Sequence, residues 1–161
     1  MEIESTVMGL VGLALCIIPF VLLQRSRKKK EQELLGGLNA IADIANNELD
    51  ISDFGFEFAI GVSADKSHVF YYKKTNEKVQ EESIALEMVE NCTIHTVNRL
   101  ITVKDKKESI IEKLELIFLL KNNAKSRLEF FNGEEKSQLT GEMDLIKKWE
   151  SIIHQCMSIN R

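Results

Sequence analysis

Apolar and polar residues follow different periods in four stretches of the chain. Residues 5–24 carry no charge and show no polar stripe. In residues 31–47, apolar residues recur every three or four positions, which predicts a helix with one apolar face. From Phe54 onward they mostly alternate with polar or small residues, as in strands with one buried face. Residues 140–157 return to helical spacing.

The uncharged stretch has the length of a membrane-spanning helix. At about 1.5 Å per residue its helix would be roughly 30 Å long, the thickness of a bilayer's hydrocarbon core. A cleaved signal peptide would carry positive charge before the apolar run, but here Glu2 and Glu4 precede it. A buried core helix would show a polar stripe. We therefore predict that residues 1–30 form a transmembrane anchor with a basic cytoplasmic flank.

A basic cluster follows the apolar stretch directly. It consists of Arg25, Arg27, Lys28, Lys29 and Lys30. The positive-inside rule places this cluster in the cytoplasm and the N-terminus outside. The same residues lie at the depth of lipid headgroups, where each contributes about 1 kcal/mol of attraction to an anionic leaflet. The prediction is a single-pass protein of a plasma (inner) membrane, with an organelle surface as the alternative.

The remaining residues predict a helix followed by a β-rich domain. Residues 31–50 form a juxtamembrane helix, in which Gly36-Gly37 favours a break or hinge. In the domain, residues 51–161, alternation at 54–62, a turn at 63–67 and a second run to Lys73 predict a hairpin. Later runs bring the total to six or seven antiparallel strands, in a sheet or partly open barrel. A C-terminal amphipathic helix, N-capped by Thr140, closes this α+β fold with a core of Leu145, Trp149, Ile152 and Ile153.

Strands followed by one helix with a lone tryptophan resemble the pleckstrin-homology-like fold, over roughly residues 54–157. With the anchor, the basic flank and the segments LNAIADIANN, AIGVSADKSHVFYY and MDLIKKWESII, the chain is similar to small single-pass bacterial membrane proteins with such a cytoplasmic domain. Their function is generally not established. Members of the fold that bind phosphoinositides carry several basic residues at the first hairpin, whereas this loop has only Lys66. No specific phosphoinositide binding is therefore expected.

Charge and motif content exclude several classes of function. Residues 31–161 contain 16 Lys and Arg against 23 Asp and Glu, a net charge of −7, which opposes nucleic-acid binding. His68, His95 and His154 lack ligand-spaced partners, and no phosphate-binding or hydrolase motif occurs, so no metal or cofactor is predicted. Cys92 with a histidine as base is an enzymatic alternative, but a small buried hydrophobe is the favoured interpretation.

Protein recognition is the class of function that remains. Phe70, Tyr71 and Tyr72 are consecutive in one strand, so their side chains must point to both faces. Either Phe70 with Tyr72, or Tyr71 alone, is the predicted protein-contact patch. The sequence thus predicts a non-catalytic docking or regulatory module that lies in the membrane through its N-terminal helix and binds another protein at the inner leaflet. The alternatives are a structural subunit held in a larger complex by its transmembrane helix, and a membrane-surface enzyme with Cys92 as nucleophile.

Overall fold

The computed structural model describes the backbone of residues 2–103 and 106–160, and the side chains of residues 18–19, 21–102 and 106–160. The elements, in chain order, are α1 (Glu2–Ile44), β1 (Leu49–Phe54), β2 (Phe58–Ser63), β3 (His68–Lys74), β4 (Val79–Ala85), a single 3₁₀ turn (Leu86–Met88), β5 (Val89–Val103), β6 (Lys106–Leu120), β7 (Lys125–Asn132) and α2 (Glu142–Ile159).

The strands form two antiparallel sheets. The first has the order β1-β2-β3-β4 and the second the order β5-β6-β7, so within each sheet the strands pair in the order of the sequence. The hairpin predicted around residues 63–67 is the β2–β3 hairpin, in which Val62 pairs with Val69. The predicted α+β class, the antiparallel pairing and the C-terminal helix are confirmed.

Most of the predicted anchor lies outside the described side chains, which begin at Ile18. Its backbone from Glu2 onward belongs to α1. Among the described residues, no helix is long and apolar enough to cross a membrane.

The main core lies between the two sheets and α2. Trp149, Ile146 and Ile153 of α2 are fully buried there, together with apolar side chains of β2, β3 and β6. The indole Nε1 of Trp149 donates a hydrogen bond to Asp53 Oδ2 at 3.0 Å, which ties α2 to β1. The N-cap of α2 is Gly141, whose φ is 113°, and not Thr140, because the chain enters the helix through a left-handed turn that favours glycine.

A second core covers the opposite face of the first sheet. Leu34, Leu38, Ile41 and Ala42 of α1 are buried there against β2 and β3. Both faces of the first sheet are therefore covered, and every residue of β2 is buried. The predicted half-buried strand over residues 54–62 is wrong for a second reason: the Gly55 N–H donates to the Phe58 carbonyl at 2.8 Å and forms the β1–β2 turn.

The predicted break at Gly36-Gly37 is absent, and α1 continues through both glycines. A Cβ on Gly37 would lie 2.5 Å from Tyr72 Cζ, whereas one on Gly36 would meet nothing within 4 Å. Gly37 is thus explained by the close approach of the Tyr72 ring to the helix backbone. Packing of the Tyr72 ring on the helix offsets the loss of helix stability that Gly37 causes.

The two adjacent glycines should respond oppositely to alanine. We expect Gly36→Ala to stabilise the protein by about 1 kcal/mol, because alanine is the better helix former at an open position. Gly37→Ala should destabilise it by about 1–2 kcal/mol, since the Tyr72 ring must move. Chemical unfolding of the full chain in detergent, followed by Trp149 fluorescence, measures both. Equal midpoints for the two variants would contradict the assigned contact.

Candidate functional site

The predicted aromatic contact patch is not on the surface. Phe70 and Tyr71 are both fully buried, and Tyr72 is partly buried against α1. Phe70 faces the core under α1, while Tyr71 faces the main core, where it stacks on Phe58 at 5.5 Å between ring centroids. The prediction assumed that one face of β3 meets solvent. Because α1 covers that face, these three residues do not form a protein-contact surface.

Tyr71 instead joins the two sheets. Its hydroxyl donates a hydrogen bond to the Glu129 carbonyl of β7 at 2.6 Å. Burial, followed by the charge of Glu129, raises the pKa of Tyr71 well above its usual value. The hydroxyl therefore stays protonated and serves as a donor.

The closing-helix residues lie against the main core. Trp149 and Ile153 are fully buried, and Leu145 and Ile152 are partly buried and pack against the same cluster.

The basic cluster lies on the exposed surface of α1. Arg25, Arg27, Lys28 and Lys29 are exposed, and Lys30 is partly buried. Lys30 Nζ lies 3.3 Å from Glu57 Oε1, and it lies 4.6 Å from the centre of the Phe56 ring.

A cavity of about 450 Å³ opens beside this cluster, between α1, the β1–β2 turn and the start of α2. Phe56, which is 49% exposed, forms part of its wall, and Lys136 Nζ lies 5.3 Å from the ring centre. Lys136 also pairs with the buried Glu142, which accepts the Thr140 N–H at 2.6 Å. Burial alone would raise the pKa of Glu142, but these hydrogen bonds lower it. The cavity therefore has a fixed ion pair in its wall and an exposed aromatic ring at its edge.

A second, more polar cavity of about 920 Å³ lies between the β3–β4 turn and the end of β7. Lys73, whose side chain is 10% exposed, lies in its wall between Glu129 and Glu135. Burial by itself would lower the pKa of Lys73, but hydrogen bonds from its ammonium group to both carboxylates raise it. Lys73 therefore stays charged, and the triad links β3 to β7 and the loop after it.

The structure gives no support to chemistry at Cys92. The thiol is fully buried, and burial followed by the charge of Glu150 raises its pKa to about 12. A nucleophilic cysteine needs a lowered pKa and access to substrate. His95 pairs with Glu115 across β5 and β6 at 3.4 Å, with its side chain 51% exposed, so it faces away from the buried thiol. Among the side chains of residues 18–19, 21–102 and 106–160, no three His, Cys, Asp or Glu come together in a way that could hold a metal ion.

Exposed apolar side chains lie at the far end of the β5–β6 hairpin. Each of these strands has 15 residues, but β7 pairs with β6 only from Lys113 to Leu119. The outer part of the hairpin, residues 98–103 and 106–111, is therefore a two-stranded ribbon, which we name the arm. Leu100 is 70% exposed and Ile110 is 39% exposed.

The two faces of the arm both carry apolar residues. Arg99 pairs with Ile110, and Ile101 pairs with Glu108, so Ile101 and Ile110 share one face as diagonal neighbours. Leu100 pairs with Ser109 and lies on the other face. A ribbon of two strands is marginally stable in water by itself. The arm therefore exposes hydrophobic side chains without a core of its own.

The strand edge of β5 is protected only near the domain. The Cys92 N–H donates to Asn91 Oδ1 at 2.9 Å, and the Ile94 N–H donates to Glu150 Oε1 of α2 at 3.1 Å. Side-chain caps of this kind keep an edge strand from pairing with other chains. In the described part of the arm, no comparable cap is found on the edge of β5, so that edge can accept another strand.

The sequence predicted six or seven antiparallel strands, but it did not identify the arm as a surface. The sequence signal for the arm is the length of the two segments that form β5 and β6. Each is longer than β7, so part of their hairpin cannot pair with a third strand. The chain matches no protein-family model, and comparison with the curated proteins and with the solved structures finds no match.

Proposed function

We propose that this chain is a non-catalytic, membrane-anchored docking module that binds a partner protein through the arm. The exposed arm, with its apolar side chains and unprotected strand edge, is the observation that carries the proposal. The pleckstrin-homology-like fold expected from the sequence is consistent with two antiparallel sheets followed by a C-terminal helix. In this proposal, residues 5–24 span the membrane and the domain is cytoplasmic.

Strand addition is the mode of binding that the arm suits best. An extended peptide that pairs with an exposed edge gains main-chain hydrogen bonds, and alternate side chains give specificity. On the arm, Leu100 is available on one face and Ile110 on the other. A segment added to either edge would cover one of these side chains and leave the protected part of β5 undisturbed. The proposed partner segment is therefore extended and partly apolar.

The buried Cys92 supports a non-catalytic function. A thiol with a pKa of about 12 is almost entirely protonated at neutral pH. This protonation state supports the non-catalytic function over the enzymatic alternative with Cys92 as nucleophile.

Site-specific photo-crosslinking in intact membranes tests the proposal. A photoreactive residue at Leu100 or Ile110 of the full chain should form adducts with a protein. The matched control is Met88, which is 43% exposed and lies in the 3₁₀ turn before β5; it should form none. In a second experiment, Leu100→Lys with Ile110→Lys should abolish an adduct formed from Ile101, with the circular dichroism spectrum unchanged. The absence of protein adducts at both arm positions, or equal adducts at Met88, would contradict the proposal.

A further inference from the structure

The direction of α1 assigns one end of the domain to the membrane side. Contacts along α1 follow β3 in reverse order: Glu33 pairs with Lys74, Gly37 contacts Tyr72 and Asn47 bonds to His68 at 3.3 Å. The part of α1 closest to the basic cluster therefore lies beside the end of β3 at Lys74. The β1–β2 turn lies at the same end, because the Lys74 N–H donates to the Glu57 carbonyl at 2.9 Å.

The helix also sets the distance between this end of the domain and the apolar stretch of residues 5–24. Lys30, which contacts Glu57 and Phe56, is six residues after Gln24. At about 1.5 Å per residue, this separation is roughly 9 Å. The headgroup region of a bilayer extends about 5–8 Å beyond each side of the hydrocarbon core. The turn that holds Phe56 therefore lies at the outer boundary of the headgroup region if the anchor spans the bilayer.

The chemistry of this end matches an anionic lipid surface. Phe56 is the exposed aromatic residue of the turn, and two lysines flank its ring. Arg27, Lys28 and Lys29 are exposed on the adjoining helix surface, and in the described part of the chain none of the three has a carboxylate within salt-bridge distance. Phenylalanine is among the apolar side chains that interfacial segments bury at the headgroup boundary, and clustered cations attract anionic leaflets.

We propose that the β1–β2 turn is a second membrane contact, in which Phe56 enters the headgroup region of an anionic leaflet beside the basic cluster. The inference rests on the proposed anchor and adds a surface of the domain itself. With this second contact, one defined end of the domain lies against the bilayer, and the anchor is not the only attachment of the domain to the membrane. The cavity of about 450 Å³ between α1 and the turn then opens toward the headgroups.

Quenching by brominated phospholipids tests this contact. The full chain is reconstituted into vesicles of phosphatidylcholine and phosphatidylglycerol, in which the acyl chains are brominated near the headgroup. The native tryptophan, Trp149, is fully buried and provides the unquenched background. We expect the added emission of the Phe56→Trp variant to fall about twofold on replacing normal by brominated lipids, since a tryptophan at the interface is within contact distance of the bromines. The Met88→Trp variant, with a similarly exposed site at the other end of the domain, should lose none.

The outcomes separate this inference from the proposed anchor. Vesicle flotation is measured on the same samples. If the chain floats with the vesicles and the Phe56→Trp emission is no more quenched than that of Met88→Trp, the second contact is wrong and the anchor stands. If the chain does not float, the anchor itself is wrong. Quenching that is equal in vesicles of pure phosphatidylcholine would contradict the part assigned to anionic lipid.

Discussion

Replacing Trp149 with alanine will lower the free energy of unfolding by about 3–5 kcal/mol, the usual cost of deleting a large buried aromatic side chain. Trp149 is fully buried between α2 and both sheets. The substitution opens a cavity in the main core and removes the hydrogen bond from the indole to Asp53. Domains of this size are stable by roughly 5–15 kcal/mol, so this one change removes a large part of the total.

Trp149→Phe is the control, because it keeps a six-membered aromatic ring in the core and removes the N–H donor together with a smaller part of the indole volume. We expect it to cost about 1–3 kcal/mol, less than alanine, because the cavity is smaller and Asp53 keeps the ammonium group of Lys148 at 2.7 Å. Circular dichroism during chemical denaturation measures both variants, because each lacks the only tryptophan of the chain. If the alanine and phenylalanine variants unfold at the same denaturant concentration, the stabilisation comes from the hydrogen bond and not from packing.

The second large effect is expected at Lys73. Replacing it with methionine leaves Glu129 and Glu135 together without their shared cation. We expect a loss of about 2–3 kcal/mol, less than for a fully buried pair because both carboxylates reach solvent. The neighbouring Lys74→Met is the control: Lys74 pairs with Glu33 at the surface, and its loss should leave the unfolding midpoint unchanged.

The pH dependence of the Lys73 effect has a defined sign. The folded protein raises the pKa of Lys73, so the folded state holds that proton more tightly than the unfolded state. The resulting stability is fully present below the unfolded pKa, about 10.5, and is lost as the pH rises through the raised folded value. Denaturation of the native chain and of Lys73→Met at neutral and alkaline pH measures this. A difference that grows at alkaline pH would contradict the assigned pairing.

The sequence predicts most elements of the domain because the spacing of apolar residues along each element involves only neighbouring positions. Alternation located β3, β6 and β7, and helical spacing located α2. It did not locate β1, because LDISDF has only three apolar residues and reads as a loop. The predicted half-buried strand failed for a related reason. Ala59 and Gly61 look like an open face, yet small residues there are what allows α1 to approach: a Cβ on Gly61 would lie 3.1 Å from Leu38 Cδ2.

The interactions that define the surfaces are not local, so no pattern in the sequence contains them. Lys73 is 56 residues from Glu129 and 62 residues from Glu135 in the sequence. Considered singly, each of the three is typical of a solvent-exposed charged residue. From the sequence, Phe56 is predicted to be a core residue of a strand, because the turn at Gly55 is not evident there. Either Phe70 with Tyr72, or Tyr71 alone, was predicted to face outward because a single sheet with one solvent face was assumed. The basic cluster was predicted directly because five cations lie within six residues.

Because α1 is uninterrupted, it fixes the direction in which the domain faces relative to the N-terminal part of the helix. A flexible linker would let the domain rotate about the membrane normal, but α1 is one helix from Glu2 to Ile44 and is buried against the first sheet from Leu34 onward. Each residue of a helix turns the chain by about 100°. In the proposed anchored protein, the number of residues between the basic cluster and Leu34 thus sets the direction of the arm relative to the anchor, and a partner in the same bilayer would meet it from one side.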